Sequence, residues 1–582
     1  AETLGRTEPF TIETPADTLR RRLLLDQHLP HAANASLGTH DLDPIKQWPD
    51  NDYLEKRGAG DGLAGAYQAD QPLKLALVDA LQIAAHESRE YQSTKESVFE
   101  AALQLDLQRD SFRRTWSGVL KGMFETDLKE EIVIDNEGNT DTQNVSGLEY
   151  GGSLGLSQRF KNGLTFTGLI GIDLVTLLTQ NRLFSRGVWA DASISIPLMR
   201  GAGEFVVTEP LTQAQREVVY AIYGFERFKR EFAVRIAEGY LGVLRLKDQV
   251  QNEEENYRGL ITSTRRARRL ADAGRLPEIQ VDQSFQDELR ARNRWVAAIE
   301  NYERRLDAFK MTLGLPTDAA IELDRTELET LAARVEQITP PEERRDDEDS
   351  AAAADNPIVL VAPGQGVAGP YELEEEQAIL LALEERLDLR VALGRVHDAQ
   401  RGVAIAADQL RADITLLGSG TAGEHRTLSS AGLEDARLEP GEGVYSALLT
   451  VDLPLERTSE RNAYRGSLIK LEQAVRNLQE LEDEIKLAGR NRLSELLEAR
   501  EAIQIQAMAV TVAERRVDST NLFLEAGRAE IRDVLEAQEA LVSAQNALTA
   551  ALVNYRVGEL ALQRDLGVLA VNEKGLWQEY TP

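Results

Sequence analysis

The chain contains no cysteine, and only 6% of its 582 residues are aromatic. The absence of cysteine excludes disulfide frameworks, thiolate metal sites, thiol nucleophiles and lipid attachment through an N-terminal cysteine. No run of about 18 apolar residues occurs, so no transmembrane helix is expected. No charged segment followed by an apolar segment comes after Ala1, which indicates either a mature form or a chain that never had a signal peptide.

Catalytic signatures are also scarce. The six histidines are scattered without the spacing of a metal site. No phosphate-binding loop, Gly-x-Ser-x-Gly sequence or zinc-protease motif occurs. The net charge of −31 argues against nucleic acid as the main partner, because phosphate binding needs a clustered cationic surface. We therefore expect no enzyme, no catalytic residue, no metal site and no cofactor.

What the chain does contain is a duplication. Ala273-Gly274-Arg275 returns 253 residues later as Ala526-Gly527-Arg528. Leu313-Gly314 returns at the same offset as Leu566-Gly567. Such a long period is not that of a solenoid, so the sequence predicts two similar halves.

Each half is predicted to contain one very long helix and two shorter ones. The predicted helices are 75–112, 203–273, 278–313, 373–411, 458–526 and 531–566. Gly274 fits the position just past a helix C-terminus, and Pro277 fits the first turn of the next helix. A helix of about 70 residues is roughly 105 Å long, since each residue adds 1.5 Å. On helices alone, a soluble coiled coil is an equally good interpretation.

Strands are predicted between the first two helices of each half, at about 113–199 and 412–454. Polarity there alternates with a period of two residues. Segments of about ten residues with this alternation are typical of a transmembrane barrel, although a soluble sandwich with one solvated face shows it too. Each group is too small to bury a core alone, which favours closure of several copies into a ring.

In their order and duplication, these features resemble the TolC family of bacterial outer-membrane efflux proteins. The resemblance covers about Leu73 to Leu569. It rests on the helix opening at Asp79-Ala80-Leu81, the sequences Ser195-Ile196-Pro197-Leu198-Met199-Arg200-Gly201 and Asp452-Leu453-Pro454-Leu455, and the ending Ala526-Gly527-Arg528 with Asp533-Val534-Leu535-Glu536-Ala537. It implies an α+β membrane protein in the outer membrane of a Gram-negative-type cell.

The family implies a homotrimer in contact with outer-membrane lipid. Each protomer would give four strands to a transmembrane β-barrel of 12 strands, continued by a long periplasmic α-helical barrel. The implied function is that of a passive trans-periplasmic channel in a tripartite efflux or type I secretion system. Such a channel docks a periplasmic adaptor protein and, through it, an inner-membrane pump.

The resemblance also assigns site residues. The turns Gly274-Arg275-Leu276 and Gly527-Arg528 would dock the adaptor, or they are plain helix-turn residues. Asp533 and Glu536 would form an acidic gate ring at the periplasmic tip, or they are a solvated pair that the helix macrodipole favours. Pro197 and Pro454 mark the two strand-to-helix junctions.

The domain prediction follows from this alignment. It consists of an N-terminal extension (1–70), a first repeat (71–337), an acidic linker rich in Gly and Pro (338–371), a second repeat (372–569) and a tail (570–582). The hairpin Leu148–Leu174 departs from the family pattern, and either enlarges the barrel beyond four strands per protomer or folds back at its outer rim. A soluble coiled-coil scaffold and a constitutively open porin remain the alternative functions.

Overall fold

A computed structural model describes residues 18–38, 42, 72–134, 140–178, 184–338, 371–427, 430, 433–453, 455–572 and 574–580. Much of the predicted N-terminal extension and of the predicted linker lies outside these residues. The structure divides into two compact units. The first unit comprises Ala1–Ser97, Tyr223–Arg390 and Glu480–Pro582, and the second comprises Val98–Ile222 and Val391–Gln479.

Helices make up most of the described chain. They are α1 (Thr18–Asp26), α2 (Leu77–Glu87), α3 (Arg89–Asp110), α4 (Glu204–Val207), α5 (Glu209–Asp272), α6 (Glu278–Leu313), α7 (Thr326–Ile338), α8 (Glu375–Glu385), α9 (Leu387–Asp408), α10 (Thr458–Glu525) and α11 (Ile531–Leu566). None of the described helices combines the length and the hydropathy that crossing a membrane requires.

The strands fall into one large sheet and two small ones. They are β1 (Leu73–Leu75), β2 (Thr115–Ile134), β3 (Thr140–Arg159), β4 (Thr165–Leu177), β5 (Phe184–Pro197), β6 (Ile321–Leu323), β7 (Asp413–Gly423), β8 (Val444–Asp452), β9 (Ala570–Val571) and β10 (Trp577–Gln578). In the first unit β1 pairs with β6, and β9 pairs with β10.

The second unit contains a six-stranded antiparallel sheet with the order β2-β3-β4-β5-β7-β8. The hairpin Leu148–Leu174 therefore joins this sheet through β3 and β4, and the alternative that it folds back is wrong. The expectation of four strands per protomer is wrong as well. The family pattern does not include these two added strands. Their side chains alternate with a period of two residues, so they pair with their neighbours like any other strand.

The two faces of this sheet differ in polarity. One face carries exposed apolar side chains, which are Trp116, Leu120, Phe124, Tyr150, Leu154, Ile170, Ile172, Ile194, Leu449 and Val451. The opposite face carries mainly small or charged side chains, including Ser117, Lys121, Glu149, Ser153, Thr167, Asp173, Ser193, Ser195, Ser419 and Ser446. One sheet thus separates an apolar surface from a polar one.

The long and short helices have similar lengths in the two halves. The long helices α5 and α10 contain 64 and 68 residues, and α6 and α11 contain 36 each. These lengths agree with the duplication, which stays a prediction. The predicted helix 203–273 is interrupted at Thr208, because Pro210 has no amide hydrogen to donate to the preceding turn.

The prediction of single helices over 75–112 and 373–411 is wrong. Each is broken once, at Ser88 and at Arg386, where ψ is 125° and 124° instead of helical. Side chains from the next turn cap the carbonyls that each break leaves free. The Gln92 amide donates to the carbonyls of Ala85 and His86, and the Arg390 guanidinium donates to the carbonyl of Glu384.

A glycine fits into each break. Gly314 ends α6 and lies against the α2–α3 break, where an added Cβ would be 2.2 Å from the carbonyl oxygen of Glu87. Gly567 ends α11 and lies against the α8–α9 break, where a Cβ would be 3.0 Å from the carbonyl of Glu385. Both glycines have positive φ, 85° and 80°. Close packing of backbone on backbone therefore fixes both junctions in the first unit.

We predict that Gly314→Ala destabilises the protein much more than Gly274→Ala. Both substitutions force a Cβ into the left-handed region, which costs about 1–2 kcal/mol. Gly274 has open space around its missing Cβ, whereas Gly314 does not, and overpacking adds about 1–3 kcal/mol. Thermal unfolding of the purified variants measures the difference. Equal midpoints for the two variants would contradict the packing argument.

Candidate functional site

The two predicted docking turns have the same backbone geometry. Gly274 has a φ of 70°, and the Arg275 amide donates to the Leu270 carbonyl at 2.8 Å. Gly527 has a φ of 72°, and the Arg528 amide donates to the Phe523 carbonyl, also at 2.8 Å. These contacts are those of a Schellman motif, which needs a residue in the left-handed conformation after the helix.

Both turns expose their arginine, and the first turn also packs an apolar residue against the protein. Arg275 and Arg528 are exposed, as is each turn glycine. Leu276 is half-buried and packs against a small core that consists of Leu260, Ala267, Val281, Ala291, Ile531 and Leu535. This core joins α5 and α6 to α11, so the first turn rests on the start of the second half's last helix.

The two predicted gate carboxylates have different partners. Asp533 lies in the first turn of α11, where its Oδ2 accepts the Glu530 amide hydrogen at 2.9 Å. Glu536 is exposed, and its Oε1 lies 2.9 Å from Nη2 of Arg516 on α10. Asp533 therefore caps its own helix, while Glu536 ties α11 to α10. The sequence predicted a pair on one helix face and did not predict these separate contacts.

Glu536 also lines a polar cleft of about 350 Å³ between α5, α6 and α11. Arg294 lies at its edge, with Nη1 2.5 Å from Oε1 of Glu539 and Nε 3.7 Å from Oε2 of Glu253. Glu253 is 7% exposed. Burial raises the pKa of Glu253, Arg294 opposes this shift, and the nearby Glu539 adds to it. Behind the cleft, next to Arg294, the structure therefore buries a carboxylate whose charged form is disfavoured.

The predicted strand-to-helix junction at Pro197 is well defined. Pro197 is the last residue of β5, and α4 begins at Glu204. Asp408, at the end of α9, accepts the Gly201 amide hydrogen at 2.8 Å. Pro454, the predicted second junction, lies outside the described residues.

A cluster that the sequence did not predict follows β7. Arg426 is only 5% exposed, although it lies in a connection between strands. Its Nε donates to Ser185 Oγ at 3.1 Å and its Nη2 to the Glu434 carbonyl at 2.7 Å. Asp173 Oδ2 lies 3.0 Å from Nδ1 of His425. The only signal in the sequence is the charged run Glu424-His425-Arg426, which is equally typical of a solvated loop.

The described residues contain no group of three or more His, Cys, Asp or Glu side chains that could hold a metal ion. The described sites therefore offer hydrogen bonds, ion pairs and surfaces.

Comparisons with known proteins agree with this picture. The model of the outer membrane efflux protein family matches residues 378–568. No curated protein matches the chain. Three similar solved structures are outer-membrane proteins of bacteria. The chain is 14% identical to VceC from Vibrio cholerae, with 84% of this chain and 96% of that one covered and a TM-score of 0.56.

The CmeC outer membrane channel of Campylobacter jejuni is 12% identical, with 84% and 85% of the two chains covered and a TM-score of 0.55. For the open state of the MtrE outer membrane channel of Neisseria gonorrhoeae, the identity is 13%, the coverage is 84% and 89%, and the TM-score is 0.53. At these identities the likeness establishes the fold, which is that of an outer-membrane channel.

The family follows from the sequence match. Residues 378–568 match the outer membrane efflux protein family, and the predicted resemblance to TolC-like proteins is confirmed. The outer-membrane localisation and the class of efflux channel are confirmed with it. The matched family is one of channels, which is the class predicted in place of an enzyme.

We predict that Glu253→Gln stabilises the protein at pH 7 but not at pH 4. A carboxyl whose pKa is raised by folding favours the folded state below that pKa, and the advantage is lost as the pH rises through it. At pH 7 the neutral amide avoids the cost of burying a charged carboxylate, so the free energy of unfolding rises. Near pH 4 the wild-type carboxyl is itself neutral, so the substitution gains nothing. Thermal unfolding at the two pH values measures the effect.

Glu255→Gln is the matched control, because Glu255 is an exposed carboxylate of the same helix turn. It should leave the midpoint nearly unchanged at both pH values. A Glu253→Gln variant that is less stable than wild type at pH 7 would mean that the attraction to Arg294 outweighs the cost of burial.

Proposed function

We propose that the chain is the passive outer-membrane channel of a tripartite efflux or type I secretion system. It works as a homotrimer and is gated at its periplasmic tip. Its helix turns dock a periplasmic adaptor, which connects it to an inner-membrane pump. The observation that carries this proposal is the exposed apolar face of the six-stranded sheet, because such a surface is stable against lipid and costly in water.

The free edges of the sheet support assembly from several copies. In the described residues β2 pairs only with β3, and β8 pairs only with β7. An unpaired edge cannot stay in a bilayer, where backbone groups find no water to bond. Pairing of β8 with β2 of the next copy satisfies both edges. Three copies then form a barrel of 18 strands, in place of the 12 that the family implies.

Two helices of the first unit also present apolar stripes to solvent. Their exposed residues are Ile279, Phe285, Leu289 and Val296 on α6, and Ile505, Met508, Val512 and Phe523 on α10. Their spacing is close to that of a coiled-coil seam. In the trimer, each stripe is buried against helices of a neighbouring copy, which supports a periplasmic α-helical barrel.

The turns support adaptor docking by their exposure and charge. Besides Arg275 in the turn itself, the last turns of α5 carry three exposed arginines, Arg265, Arg268 and Arg269. In a chain with a net charge of −31, this is a local reversal of sign. Exposed guanidinium groups at a turn favour association with an acidic partner surface.

We predict that Ile170→Lys reduces the amount of trimer in the outer membrane far more than Thr167→Lys. Both residues lie on β4 and both are exposed in the single chain, but Ile170 is on the apolar face and Thr167 on the polar face. A lysine on the lipid face costs about 2–4 kcal/mol near the bilayer midplane. Immunoblots of membrane fractions measure the surviving trimer.

The same pair of variants tests the alternative of a soluble scaffold. In a soluble protein both positions face water, so the two lysines should be tolerated equally. Equal trimer levels, or wild-type protein that remains soluble without detergent, would contradict the channel.

We predict that Asp533→Asn and Glu536→Gln together raise single-channel conductance and lower cation preference. A ring of carboxylates attracts cations. The ion pair between Arg516 and Glu536 also holds α10 close to α11, which keeps the proposed gate narrow. The amides remove the charge, while the amide oxygen introduced by Asp533→Asn can still accept the Glu530 amide hydrogen. Planar-bilayer recordings of the purified protein measure both quantities.

Glu525→Gln is the control, because Glu525 is an exposed carboxylate at the end of α10, the other arm of the same hairpin, and is paired with Arg266. It should leave conductance unchanged. A wild-type channel that is already fully open would exclude a gate at Asp533 and Glu536 and favour the porin.

A further inference from the structure

The connection that leaves β7 crosses over β5 on the polar face of the sheet. Its first residue remains at the strand edge, where the Glu424 amide donates to the Val188 carbonyl at 3.1 Å. Two residues later the Arg426 amide donates, at 3.4 Å, to the Asp173 carboxylate, whose side chain comes from β4. Because β5 lies between β7 and β4, the segment must pass over β5.

Gly187 identifies the face on which this crossing occurs. A Cβ added to Gly187 would lie 2.8 Å from both the Arg426 nitrogen and the Glu424 oxygen. Gly187 is opposite Asp173 in the strand pairing, and paired residues point to the same side. The crossing segment therefore lies on the side of Asp173, which is the polar face.

The segment is fastened at several points. Arg426 donates hydrogen bonds to Ser185 on β5 and to the Glu434 carbonyl, which joins the start of the connection to its middle. The far end is held by the Arg186 amide, which donates to Asp435 Oδ1 at 2.9 Å, and by its carbonyl, which accepts from Ala436 at 2.8 Å. Ser185 beneath them is fully buried.

A contact between two tilted rings supports the same segment. The His425 ring lies 4.2 Å from the Trp189 ring, centroid to centroid. Trp189 in turn covers Gly171, where a Cβ would come within 2.3 Å of the indole. Any larger residue at Gly171 would lift Trp189 and the histidine above it. Glycines at positions 171 and 187 therefore leave the space on the sheet that Trp189 and the crossing segment occupy.

We propose that the stretches 424–427 and 433–436 form a shelf inside the barrel that narrows the passage and sets the size of solutes that pass. This inference rests on the proposed function, in which the apolar face meets lipid and the polar face lines the lumen. It goes beyond that function by assigning size selection to residues far from the gate carboxylates in the sequence, with Arg426 as the residue that positions the shelf.

A wide barrel leaves a large lumen, so a shelf inside it would decide which solutes pass. Barrel diameter grows about linearly with strand number, so 18 strands give a lumen about 1.5 times as wide as 12 strands. Barrels of 16–18 strands hold open aqueous channels. Three copies of the shelf project into this lumen from the polar face and reduce its free cross-section.

The chain has no cysteine, so a single introduced thiol reports on the shelf. In Ser185→Cys the thiol is covered by Arg426. Intact cells are treated from outside with a membrane-impermeant maleimide. We expect slow labelling of Ser185→Cys alone and labelling at least about tenfold faster with Arg426→Ala, because access to a covered group follows the population of its open form.

Two further variants complete the design. Arg437→Ala removes the same charge from the same connection, but Arg437 is exposed and has no hydrogen bond or ion pair with the described residues, so labelling should stay slow. Gly187→Ala displaces the segment without changing charge, and it should accelerate labelling as Arg426→Ala does. It keeps the test decisive if the arginine variant folds poorly.

A separate reporter distinguishes this inference from the function on which it rests. Glu442→Cys lies in an exposed turn just before β8 and should be labelled rapidly in every background. If Glu442→Cys is not labelled in intact cells, the proposed membrane topology fails and the shelf fails with it. If it is labelled while Ser185→Cys reacts equally fast in all variants, the channel stands and the shelf is wrong.

Discussion

The pairing of β5 with β7 is the interaction on which the rest of the second unit depends. The ladder runs from Trp189 opposite Gly423 to Pro197 opposite Thr415, and it joins a strand from each half of the chain. Side chains alternate strictly along a strand, so a slip of one residue would exchange the faces of β7 and β8. The observed register places Ser193 beside Ser419 and keeps the polar residues of both halves on one surface.

The helices of the first unit depend on a different constraint, which is the close approach of two glycines to two helix breaks. Gly314 meets the break at Ser88, and Gly567 meets the break at Arg386. The two halves therefore build the same junction from matching positions. They differ at the turns, where Pro277 precedes α6, while α11 starts with a cap from Asp533. The glycine junction is shared by both halves, whereas at the two hairpin turns the acidic cap is found only in the second.

Local signals explain which parts of the fold could be predicted from the sequence. Pro277 and Gly314 mark the ends of α6, and the corresponding glycines bound α11, so those helices were predicted with correct limits. Ser88 and Arg386 carry no breaker signal, because each break is stabilised by a glycine distant in sequence. Alternation revealed the strands but not their order in the sheet. Arg426 looked like any loop arginine, since its burial arises only from the crossing over β5.

The added hairpin and the shelf are physically linked. Asp173 lies on β4, one of the two strands that the family pattern does not predict, and it accepts a hydrogen bond from the Arg426 amide. Gly171, under Trp189, lies on the same strand. A sheet without β3 and β4 would lack Gly171, on which Trp189 packs, and Asp173, which accepts the hydrogen bond from the crossing segment. In the proposed barrel, the same two added strands would therefore both widen the ring and supply the contacts that hold the proposed shelf.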